Sequence, residues 1–114
     1  MTTINLELTQ DSLDALRRIR GQLYAIPGET VGAMSLDDQI RYGDSLQKIG
    51  TAILKLEAAK LKNVNEQFKA RELDLRDATA ELQKSAAELA DAVHVIRAVS
   101  NGLSLVANII ALLA

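Results

Sequence analysis

Residues 61–114 read LKNVNEQFKA RELDLRDATA ELQKSAAELA DAVHVIRAVS NGLSLVANII ALLA. Every seventh residue from the first is large and apolar: Leu61, Phe68, Leu75, Leu82, Leu89, Ile96, Leu103 and Ile110. The companion positions three residues on are mixed, with Val64, Val99, Val106 and Leu113 apolar but Arg71 and Ser85 polar. Spacing of this kind puts one stripe of a helix against a neighbour, as in a coiled coil or a helical bundle. The expected seam is Leu61, Val64, Phe68, Leu75, Leu82, Leu89, Ile96, Val99, Leu103, Val106, Ile110 and Leu113.

Just upstream the register changes. Leu46, Ile49, Ile53 and Leu56 share a face, but that face does not run by sevens into Leu61 and Val64. Between the two patterns lies Lys62-Asn63-Val64-Asn65-Glu66. Either one helix passes through with a small phase shift, or it breaks, with Asn63 capping a new helix and Glu66 completing a capping box. Residues 51–101 contain no Gly or Pro, which favours continuity. Ser35-Leu36-Asp37-Asp38 sets a capping hydroxyl three residues ahead of an acid, a helix start. A continuous helix from there to about residue 100 would be roughly 100 Å long. Its core face is read through Ile40, Leu46, Ile49, Ile53 and Leu56. Gly43 and Gly50 lie on one side of it, at a cost of about 1 kcal/mol each relative to Ala. Close approach of another helix would offset that cost.

The first half supplies a shorter helix. Leu13, Leu16, Leu23 and Ile26 mark one face of residues 9–26, with Thr9 or Asp11 as the cap. Ile26-Pro27-Gly28 ends it, because a residue before proline is pushed out of the α region. Residues 27–34 read as a loop, and residues 2–8 alternate apolar and polar like an extended arm that has no strand to pair with. The expectation is an all-α chain, 1–114: a short helix, a loop, and a long helical segment over 35–114. A first helix of about 16 residues covers only a quarter of such a segment. The uncovered seam therefore calls for other copies, a homo-oligomer, or for a helical protein partner.

A net charge of −2 argues against a nucleic-acid partner. With no cysteine there is neither a disulfide framework nor Cys-ligated zinc. His94 is the only histidine. Asp91 and His94 stand one helical turn apart, but a ferritin-like metal site needs further acids on facing helices. No phosphate loop or metal motif is present, so neither catalysis nor a cofactor is expected. Met1-Thr2-Thr3 lacks the basic start of a secretory signal, and acids fall where its apolar segment should be. Cytoplasmic residence is the default expectation, with leaderless export left open.

The C-terminal third, 93–114, has a wide apolar face and a thin polar strip: His94, Arg97, Asn101, Ser104 and Asn108. Two functional readings follow. In the first, the chain is a non-enzymatic structural or interaction protein that self-associates through its heptad-patterned helix. In the second, it is a membrane-active subunit, pore-forming or translocator-type, whose last helix meets lipid and whose polar strip lines a lumen. The uncharged run from Ala98 is at the short limit for spanning a bilayer, and Asn101 and Asn108 would need partners there.

Overall fold

In a computed structural model, which describes residues 2–113, the chain is all-α. The helices are α1 (Leu6–Tyr24), α2 (Gly28–Gly32), α3 (Leu36–Ala59), α4 (Glu66–Lys69), α5 (Glu72–Ala87) and α6 (Ala92–Ile110), and a 3-10 turn covers Ala111–Leu113. The very long helix and coiled coil expected over 35–114 do not form. The longest helix is α3, at 24 residues.

Each of the four long helices packs against two others. α1 lies beside α3 and α5, and α6 lies beside the same two, so the cross-section is a square with α1 and α6 on one diagonal. Side-chain bridges give the directions. Tyr42 donates its hydroxyl to Leu23 O at 3.0 Å and Lys60 Nζ donates to Gln10 at 3.0 Å, so α3 runs antiparallel to α1. Asn5 N donates to Glu72 at one end of the α1–α5 pair and Gln22 Nε2 to Ala86 O at the other, so these two are parallel. The result is an up-down-up-down bundle whose middle connection, 60–71, crosses one end of the square.

That crossing explains why the helix breaks without glycine or proline. Phe68, on α4, is fully buried and closes the end of the core. Lys60 and Leu61 tighten the end of α3 with short-range backbone bonds to Glu57 O and Ala58 O. The cap of the next helix is Asn65, not Asn63; its side chain accepts from Phe68 N at 2.8 Å. The extended arm also finds its partner here. Thr2 and Val64 exchange both backbone hydrogen bonds, an isolated antiparallel bridge. The arm is shorter than expected, because Asn5 caps α1 by accepting from Leu8 N at 3.0 Å, and α1 begins at Leu6 rather than at residue 9.

Residues 27–34 are not all loop, since α2 occupies Gly28–Gly32. A second unexpected break follows α5. Glu88 and Leu89 wind down the helix, and Asp91 caps α6, accepting from Val93 N at 2.8 Å and His94 N at 3.2 Å. Leu13, Leu16, Ile19 and Leu23 of α1 meet Ile49 and Leu56 of α3, Leu75 of α5, and Ile96, Val99 and Leu103 of α6 in one core, all nearly inaccessible to water. Full burial of each such side chain stabilises the fold by about 1.5–3 kcal/mol.

Candidate interaction surface

The twelve seam positions divide. Val64, Phe68, Leu75, Leu82, Ile96, Val99, Leu103, Val106, Ile110 and Leu113 are buried inside the chain's own bundle. Leu61 and Leu89 are 88% and 38% exposed, in the turns that end α3 and α5. The length mismatch that called for other copies is thereby removed, because the chain folds back three times and covers the seam with its own helices. His94, Arg97, Asn101, Ser104 and Asn108 form an exposed strip along α6. His94 and Asp91 stand 3.9 Å apart, but the aspartate is engaged as the α6 cap. Among the described residues no group of three His, Cys, Asp or Glu side chains is placed to hold a metal ion.

A different apolar feature stands out on α3. Leu36 is 71% exposed, Ile40 60% and Leu54 73%. At 3.6 residues per turn, Leu36, Ile40, Gln47 and Leu54 fall within about 40° of one another, opposite Ile49 and Leu56. The stripe is about 27 Å long from Leu36 to Leu54, and Gly43 and Gly50 lie along its edge. A Cβ built on either glycine would meet nothing within 4 Å. None of the described residues approaches these glycines, so the close packing that would offset their helix-propensity cost is not supplied by the described bundle. Ile40, grouped with the core face on periodicity, belongs instead to this outer stripe.

Around the stripe the charges are arranged unevenly. On the α1 side Glu57 pairs with Arg17 at 2.6 Å and with Lys60 at 3.3 Å. The hydrogen bond from Arg17, aided by Lys60, holds the Glu57 carboxyl below its usual range against an opposing effect of desolvation. On the α6 side the flank carries Asp37 and Asp44 in its first half, with Arg41 between them engaged by Asp38, and Lys48 and Lys55 in its second. Asp44 and Lys48 pair at 2.9 Å. Asp37 and Lys55 have no ion-pair partner among the described residues. Between this flank and α6 runs a groove of about 320 Å³, with Ala52, Leu103, Val106 and Ile110 in its floor and Lys48 and Lys55 at its rim.

The start of α3 is fixed by one charged cluster. Ser35 caps the helix, accepting from Asp38 N at 3.2 Å and donating to the Asp38 carboxylate at 3.1 Å. Arg97 of α6 forks onto the same carboxylate, with Nε at 3.1 Å and Nη2 at 3.0 Å, and Arg41 adds a contact of 2.9 Å. The Asp38 side chain is almost wholly buried. The Arg97 hydrogen bond, with smaller help from Ser35 and Arg41, outweighs burial and lowers the Asp38 pKa from 3.8 to about 2. The same bond raises that of Arg97. Two hydrogen bonds in a planar fork fix orientation as well as distance, so this cluster locks the stripe-bearing helix to α6.

Sequence reasoning passed over the stripe, though a signal was present. Leu36 and Leu54 do not fit the face of Ile49, Ile53 and Leu56, so α3 carries apolar residues on two sides. Compared with family models, with curated proteins and with solved structures, the chain matches none.

Proposed function

We propose that the chain is a non-enzymatic interaction protein: a prefolded helical bundle that presents the outer stripe of α3 to a helix of another protein chain. The observation that carries this reading is the alignment of Leu36, Ile40 and Leu54, each more than half exposed, along a line with no charged residue between them. Single exposed leucines are ordinary on protein surfaces. Apolar side chains aligned along one helix face are what a helix-to-groove contact reads. The bundle provides a rigid platform, since α3 is held along its length by α1 and at its start by the Asp38–Arg97 fork.

Site-specific photo-cross-linking in the cell tests it. A photoreactive residue at Gln47, in the middle of the stripe, should give a discrete protein adduct that the same probe at Glu81, exposed on α5, does not give. Equal labelling at both positions, or none at Gln47, would reject α3 as the docking face.

The membrane-active reading makes a different demand. α6 with the turn after it (92–113) is the one stretch among the described residues long and apolar enough to cross a membrane. To do so it would leave the bundle and strip Leu13, Ile49 and Leu75 of their neighbour, because its own apolar side chains fill the core. Liposome flotation of the full chain, against a copy ending at Val99, is the measurement that would bring this reading forward.

A further inference from the structure

We infer that the partner on the α3 stripe is a second copy of this chain, packed with the two α3 helices antiparallel about a two-fold axis near Gln47. The inference rests on the reading of α3 as the docking face and adds to it the identity of the occupant.

The charge pattern beside the stripe is self-complementary under one arrangement only. When two identical helices pack antiparallel, each flank meets its own copy running the other way. When they pack parallel, each flank meets the opposite flank. Apart from Arg41, which is engaged by Asp38 at 2.9 Å, the α6-side flank of α3 reads acid, acid, base, base: Asp37, Asp44, Lys48, Lys55. Asp37 and Lys55 lie symmetrically about Leu46, and so do Asp44 and Lys48. Antiparallel pairing therefore sets Asp37 against the second copy's Lys55, and Asp44 against its Lys48, twice each by symmetry. Parallel pairing would set these four charges beside the α1-side flank, where Glu57 is already engaged by Arg17 and Lys60. Unlike charges facing across an interface fix register and suppress wrong arrangements more than they add affinity. The two residues that gain most are Asp37 and Lys55, which lack an ion-pair partner among the described residues.

The apolar residues obey nearly the same symmetry. Ile40 and Leu54 are equidistant from Gln47, as are Leu36 and Ala58. An antiparallel pair thus brings Ile40 over Leu54, with Gln47 against its own copy, and one side-chain amide can hydrogen-bond the other. Gly43 and Gly50 then lie where the backbones cross, and the open space above each would be filled by the second helix. A two-fold contact of this kind uses the same patch on both subunits and closes on itself, so assembly stops at the dimer. One helix face on each side buries on the order of 1,000 Å² in all, the low end for a specific interface, so the dimer is weak and concentration-dependent.

The chain contains no cysteine, which makes disulfide mapping direct. Gln47→Cys should oxidise to a covalent dimer. Ile40→Cys alone and Leu54→Cys alone should not, since each is several turns from its own copy, but a mixture of the two should link to each other. Sedimentation equilibrium of the unmodified full chain should show dimer at about 200 μM and mostly monomer at about 1 μM. Ile40→Glu with Leu54→Glu should weaken that association about 100-fold or more by placing carboxylates in the contact. Both side chains are exposed, so the thermal melt of this variant should stay cooperative and show that the bundle is intact.

Ready disulfide formation by Ile40→Cys alone would mean parallel packing and overturn the inference. So would a monomer at 200 μM. A monomer whose Gln47 probe still captures one discrete foreign protein would overturn the inference and leave α3 as the docking face. No capture at Gln47 and no dimer would remove both.

Discussion

Leu61 and Phe68 occupy equivalent positions seven residues apart in the apolar repeat, yet the fold gives them opposite surroundings. Phe68 is fully buried where the crossing segment closes the bundle, and Leu61 is 88% exposed in the turn before it. Truncating Phe68 to Ala withdraws about 150 Å² of apolar surface from the core. At about 25 cal/mol/Å² this is about 4 kcal/mol, inside the range of about 3–5 kcal/mol for buried Phe→Ala. For a chain of this length the total stability is about 6–17 kcal/mol, so the loss is a large fraction of it. The midpoint of a thermal melt should fall by about 15 °C. Leu61→Ala removes a side chain already in water and should change stability by no more than about 0.5 kcal/mol. Urea and thermal unfolding followed by far-ultraviolet circular dichroism, on dilute full-length protein, measure both. Equal losses at the two positions are what a continuous seam over 61–113 demands, and that result would refute the crossing segment and the end-closing role of Phe68.

Three further outcomes are expected. Asp38 titrates at about 2 in the fold against 3.8 ordinarily, so its ionised form is favoured by folding. That contribution is complete above about pH 4 and is lost as the pH falls toward 2. Asp38→Asn should be less stable than the parent at pH 6, and the gap should close as the pH approaches 2; a gap constant across that range would remove the Arg97 fork as the cause. Gly43→Ala and Gly50→Ala should each stabilise the monomer by about 0.5–1 kcal/mol, since the added methyl meets nothing and the helix gains propensity. Gly102→Ala should go the other way, by about 1 kcal/mol, because its Cβ would lie 2.5 Å from Leu82 Cδ1 and that side chain must shift. Urea titrations of dilute protein read all three, and a stabilised Gly102→Ala would show that Leu82 moves aside freely.

The amino-acid sequence by itself determined the helical class, the start of α3 at Ser35 and the end of α1 before Pro27. Each of these depends on neighbours a few residues away: a hydroxyl that accepts a backbone N–H, a ring that excludes the α conformation. Only the tertiary structure decided where the second half divides. No Gly or Pro marks the turns at 60–65 and 88–91. The chain turns there because burial of Phe68, the Thr2–Val64 bridge and the Asn65 and Asp91 caps outweigh the few helix hydrogen bonds given up. The two caps are local, but the bridge joins residues 62 positions apart and the burial of Phe68 depends on distant helices, and neither leaves a local trace. The same limit hid the outer stripe. A heptad repeat says that one side of a helix leaves water, but not what covers it. The repeat of 61–113 is covered by the chain's own helices, whereas Leu36 and Leu54, which no repeat singled out, and Ile40, which periodicity grouped with the core face, are left facing outward. Which apolar face is satisfied within the chain depends on how many helices there are and how they pack around one another, and that is settled only when the whole bundle closes.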